Sequence, residues 1–136
     1  MIESSRLHLL RRLSLAGSGL TFGTIALIGI AAPHTVAGVY GLSLAGVDGL
    51  NEFRAVYTGF WISLCVAMLT AARRPDETLL GDICGLMLLM QSLGRVMSVA
   101  VDGRPSWQFL VAMVAELMSA VMILAPRVAA RRAVRA

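Results

Sequence analysis

Glu116 is the one charged residue between Trp107 and Ala125, in a run otherwise made mostly of Val, Leu, Met and Ala. Gln91, Arg95, Ser98 and Asp102 follow one another at steps of four, three and four, which on a helix puts all four on one face. Glu52, Arg54 and Tyr57 open a third apolar stretch. Isolated charges in hydrocarbon are costly, so these side chains must pair, and intramembrane ionisable groups point to function. Arg95 is expected to meet Glu116, and Arg54 to meet Asp102 or Glu52. A neutral acid in a dry apolar pocket can hand a proton to a lipophilic substrate such as an olefin or an epoxide. Glu116 is the candidate acid, with Asp102 or Glu52 as the partner carboxylate. Arg54, Tyr57, Trp61, Gln91, Arg95 and Met113 are the candidate binding residues, and Met87, Met90, Met97, Met113, Met118 and Met122 are read as an adaptable apolar wall. A plainer role for the same charges is a buried ion-pair network that fixes helix order.

The chemistry of soluble enzymes finds no support. There is no nucleophile elbow, phosphate loop, HExxH or CxxC. His8 and His34 have no second ligand at metal spacing, so no metal and no cofactor is expected. Cys65 and Cys84 read as two small buried hydrophobes that lie at similar depth.

The elements that must position these residues follow from composition. Of the 136 residues 57% are apolar and 15% charged, the balance of an integral membrane protein. Four apolar runs are long enough to cross a bilayer core of about 30 Å: 13–32, 51–72, 79–101 and 107–125. The expected fold is all-α, a four-helix transmembrane bundle. Helix three carries ten Leu, Ile and Val residues, each worth roughly −0.3 to −0.6 kcal/mol of insertion, against about +2.5 to +3.5 for a central Arg. It can insert with its charge by a small margin.

The first run ends in Ala31-Ala32-Pro33 without a cleavage pattern, so it reads as a retained helix. Its glycines and hydroxyls suit close packing against neighbours, with little chemistry of its own. Residues 1–12 form a short basic amphipathic lead-in. Residues 33–50 are broken by glycines and read as a short interfacial helix and loop over the mouth of the bundle. Asn51 is read as the cap of helix two, residues 76–78 as caps of helix three, and Ser106 as the cap of helix four. All twelve basic residues are Arg, and nine of them flank the spans on one side, at 6, 11, 12, 73, 74, 127, 131, 132 and 135. The positive-inside rule makes that side cytoplasmic, with both termini there. The net charge of +4 arises from this asymmetry. The tail at 127–136 has no aromatics or folded basic face for nucleic acid, and contact with anionic lipid headgroups accounts for it.

The segments NEFRAVYTGFWISL, from 51 to 64, and LGRVMSVAVDGRPS, from 93 to 106, resemble a widespread bacterial family of small four-helix membrane proteins catalogued as a domain of unknown function. Asn51, Glu52, Arg54, Tyr57, Gly94, Arg95, Asp102, Gly103 and Pro105 match its pattern, and Thr58 replaces the first glycine of a pair. The resemblance implies the four-helix architecture, a polar cluster and a bacterial inner membrane. Small membrane isomerases and terpene cyclases that use buried acids are analogous at the level of the site, with no shared motif. Two functions follow as expectations. One is a pocket for a hydrophobic small molecule or lipid, with acid–base isomerisation, cyclisation or epoxide opening. The other is a non-enzymatic accessory or self-associating subunit, or a small transporter.

Overall fold

The computed structural model describes residues 2–75 and 77–135, with side chains from 5 to 126 apart from 76. The described chain is a bundle of helices: α1 (Ile2–Ala31), α2 (Pro33–Val39), α3 (Gly46–Phe53), a π-helical segment (Arg54–Phe60), α4 (Trp61–Arg73), α5 (Thr78–Asp102) and α6 (Trp107–Arg135). Four stretches are long and apolar enough to cross a membrane: Ser5–Ala31, Gly46–Arg73, Thr78–Asp102 and Trp107–Pro126. The protein is a multi-pass membrane protein built as a four-helix bundle. The expected lipid contact of the tail at 127–136 involves side chains outside the described residues.

Helix boundaries differ from the hydropathy reading in ways that have physical causes. Hydropathy marks where a chain becomes soluble in lipid, and helix marks where nothing breaks the backbone ladder. No proline or glycine interrupts residues 2–16, so the basic lead-in is the opening part of α1 and continuous with it. Helix two starts at Gly46, five residues before Asn51, which is therefore inside α3 and caps nothing. Glu77 occupies the N-cap of α5 without a side-chain capping bond, and its carboxylate instead accepts from Arg74 Nη1 at 3.0 Å. Of the other two expected caps, Thr78 is the first residue of α5 and Asp76 is outside the described residues. Ser106 Oγ donates to Gln108 Oε1 at 3.1 Å. Gly103, at φ 96, ends α5 in a conformation that side chains avoid, and so reverses the chain into α6.

The core sits between α1 and α4, and extends to α5 and α6. Leu15, Ala26, Met68, Leu88 and Ile123 are almost fully enclosed. Glycines set the closeness of α1 to α4: a Cβ on Gly19 would lie 3.1 Å from Met68 Cβ, and one on Gly23 only 2.7 Å from Cys65 Sγ. Cys65 and Cys84 are both free. At the arginine-rich end, Arg12 Nε donates to the carbonyl of Ala72 at 3.0 Å, near the negative end of α4.

Arg11 is the larger departure. It is buried, and its guanidinium donates to Asp82 Oδ1 at 2.8 Å, to the Ile123 carbonyl at 2.6 Å and to the Thr78 carbonyl at 2.9 Å. One side chain thus joins α1, α5 and α6. Gly81 makes room for it, since a Cβ there would collide with Arg11 Nη2. The arginine count placed Arg11 among the membrane flanks, and the pattern gave no reason to couple it to Asp82.

Candidate ligand-binding cavity

Glu116 lies nine residues along α6 from Trp107, about 13 Å into the bundle. Its helix presents it to α5, where Gln91 and Arg95 stand one turn apart on the facing side. Arg95 Nε donates to Glu116 Oε2 at 2.9 Å and Arg95 Nη2 to Oε1 at 3.1 Å, a bidentate pair. Gln91 Nε2 adds a third bond to Oε1 at 2.8 Å. One turn nearer the arginine-rich end than Arg95, Ser92 Oγ donates to the carbonyl of Met113 at 3.1 Å and fixes the spacing of the two helices. All three side-chain bonds run into Glu116. Its carboxyl is therefore arranged as an acceptor, and it offers no proton to its neighbours. Arg95 Nη1 and Gln91 Oε1 make no hydrogen bond among the described residues.

This cluster forms one wall of a cavity of about 420 Å³ enclosed by α1, α5 and α6, with Trp61 of α4 and Tyr40 beyond α2. Ser14, Ser18 and Thr21 supply hydroxyls from α1 and Ser119 one from α6, a turn from Glu116, and Phe22, Ile25, Leu88 and Ala112 supply apolar surface. Gly17, Thr21, Gln108 and Ala115 line the cavity and are also exposed, so it opens laterally between α1 and α6. Helix one thus contributes a full wall, against the expectation that it only packs. Small residues in α1 and α6 make the opening, because larger side chains there would fill it.

Tyr40 closes the end away from the arginines. Its ring lies 5.4 Å from Tyr57, 5.9 Å from Trp61 and 5.6 Å from Phe109. Phe53, Tyr57 and Trp61 follow at intervals of four through the π-helical segment, and each neighbouring pair of rings is 5.0 Å apart. Arg95 also lies over Phe109, 5.8 Å from its centroid. Burial raises the Tyr40 phenol above its ordinary value; the Arg95 guanidinium opposes the shift, and Tyr57 and Glu116 add to it. On the far side of Tyr40, Arg95 and Phe109 is a second cavity of about 340 Å³, lined by Tyr57, Ser98, Pro105 and Met113 among others. The same three side chains line both spaces and form the partition between them. Tyr40 escaped the sequence reading because a tyrosine in a glycine-rich loop carries no periodicity.

Of the residues singled out from sequence, Gln91, Arg95, Glu116 and Trp61 line the main cavity, and Tyr57 and Met113 line the second. Glu52, Arg54 and Asp102 are exposed and line neither. The expected pairing of Arg54 with Asp102 or Glu52 is absent among the described residues, and Asp102 instead accepts from Ser98 Oγ at 3.0 Å. The physical reason is facing: Glu52 and Arg54 lie on the outward side of their span and Asp102 is the last residue of α5, so none of the three is turned toward the cavity. The methionine wall is likewise not around the cavity: Met87, Met90, Met97 and Met118 face outward, and Met122 accepts from Ser14 Oγ at 3.3 Å. Among the described residues no three His, Cys, Asp or Glu side chains gather to hold a metal.

The family model for a domain of unknown function, DUF4345, matches residues 10–125. The chain belongs to the DUF4345 family. That match runs from the arginine-rich start of the bundle to the last residue before Pro126, and so takes in both the Arg11 clamp and the Glu116 cluster of this DUF4345 chain. No curated protein and no solved structure matches the chain.

Proposed function

We propose that this DUF4345 protein resides in a bacterial cytoplasmic membrane with both termini inside, and that its main cavity binds a hydrophobic small molecule or lipid. The single observation that carries the reading is the juxtaposition of a cavity of about 420 Å³ with the Gln91–Arg95–Glu116 cluster. Ligand sites are typically concave spaces of roughly 300–1,000 Å³, mostly apolar, with a few convergent polar groups. An ion pair kept only to fix helix order needs no cavity beside it; the lateral opening between α1 and α6 gives an apolar ligand a route from the bilayer.

Acid–base turnover by isomerisation, cyclisation or epoxide opening is narrowed by the same geometry. Among the described residues one carboxyl lines the cavity, so a two-carboxylate mechanism lacks its second member there, and Glu116 would act as a proton acceptor. Binding is the stronger reading. The non-enzymatic accessory or transport alternative calls for a filled core with partner-facing helices, and the cavity weighs against it.

Native mass spectrometry of the protein released from nanodiscs of its host lipids tests the proposal. A small-molecule adduct is expected on the wild-type chain and should be lost on Ala112→Trp, which fills the cavity from α6. An unliganded wild-type chain, or an adduct retained equally by Ala112→Trp, overturns it.

A further inference from the structure

The Glu116 cluster constrains the ligand's head group. Arg95 and Glu116 neutralise each other through two parallel hydrogen bonds, with 26% and 14% of their side chains accessible. An anionic head that captured Arg95 would leave Glu116 without its counter-charge in an apolar bundle, and a cationic head that captured Glu116 would leave Arg95 so. Removing one partner of a buried pair costs far more than the pair contributes when intact. An uncharged head meets no such penalty. It finds Arg95 Nη1 as a donor and Gln91 Oε1 as an acceptor, both without a hydrogen bond among the described residues. Ser18 and Ser119, also on the cavity wall, add hydroxyls. A group that both donates and accepts one hydrogen bond fits this pair, and the rest of the lining is mainly apolar or aromatic.

We infer that the cavity selects an uncharged, hydroxyl-bearing amphiphile, an alcohol of lipid-like apolarity, whose oxygen bridges Arg95 Nη1 and Gln91 Oε1. The inference rests on the pocket reading above and names the ligand class of that site. The charge neutrality of the cluster supplies the selectivity. Glu116→Gln leaves Arg95 cationic and should turn the preference toward anions, and Arg95→Gln leaves Glu116 anionic and should turn it toward cations.

The test uses the full chain with Trp107→Phe in phosphatidylcholine nanodiscs, which leaves Trp61, 8% exposed on the cavity wall, as the only tryptophan. Chain-brominated dodecanol, dodecyl sulfonate and dodecylammonium are compared by quenching of Trp61, with affinity expressed per mole fraction in the bilayer. The alcohol should bind at least roughly tenfold more tightly than either charged probe. Glu116→Gln should invert the order in favour of the sulfonate. A charged probe that matches or exceeds the alcohol on the Trp107→Phe chain with Glu116 and Arg95 intact overturns the head-group assignment while leaving the pocket intact. If none of the three quenches Trp61, the pocket reading itself fails and this inference with it. The Trp107→Phe series decides the matter whether or not the Glu116 and Arg95 variants fold.

Discussion

At the scale of single residues, the Arg95–Glu116 contact is the one whose energetics can be stated most sharply. Both side chains are largely withdrawn from water, so removing either leaves the other unpaired, at a cost of about 3–5 kcal/mol. Arg95→Ala should therefore be strongly destabilising. The double variant Arg95→Ala with Glu116→Ala should be milder than Arg95→Ala alone, because it leaves no orphan charge. Unfolding in mixed micelles followed by circular dichroism gives the cycle, and purely additive losses would argue that the two do not share a contact. This pair was legible in the sequence because position along two antiparallel helices fixes depth, and two opposite charges at adjacent depths have to meet. Arg11 with Asp82 was not, since an arginine beside other arginines reads as a membrane flank. Only the register of α1 against α5, which packing sets, brings that pair together. Arg54, Glu52 and Asp102 show the converse: their types and spacing suit a pairing, yet all three side chains are exposed and line neither cavity.

Among the elements, the seam between α1 and α4 is where side-chain size matters most. A methyl group on Gly23 would come within 2.7 Å of Cys65 Sγ, closer than real contacts allow, so Gly23→Ala should force the two helices apart and cost about 1–3 kcal/mol. Cys65→Ala added to it should return much of that loss, since the obstructing sulfur is gone. If thermal unfolding in detergent gives the double variant no recovery over Gly23→Ala, the close approach is not there. Glycine spacing in α1 announced a packing face, and that much was readable. That the same helix also turns Ser14, Gly17, Ser18 and Thr21 toward an open space was not, because a sequence records which residues are small and leaves open whether a neighbour fills the gap. The segment Arg54–Phe60 has a similar lesson. Its π-helical turns align Phe53, Tyr57 and Trp61 into a column of rings, and neither composition nor spacing distinguishes such a stretch from an ordinary helix.

For the molecule as a whole, four stretches are long and apolar enough to cross a membrane, and the arginine-marked end is the basis of the proposed orientation. The number of crossings was plain from hydropathy, which depends on composition alone. The cavity was not, because it is a deficit of packing shared by four elements. The proposed orientation has a direct check: a fluorescent protein fused after Ala136 should be bright, and alkaline phosphatase at the same point inactive. The opposite pattern would put the arginine-rich end outside. The Arg11 clamp carries a consequence for how the chain is made. Its three acceptors belong to residues 78, 82 and 123, so this side chain of α1 is secured by segments that are synthesised after it. Until Ile123 joins the bundle the Arg11 guanidinium lacks one of its three acceptors, so the tie between α1 and α5 is completed only when α6 packs beside them.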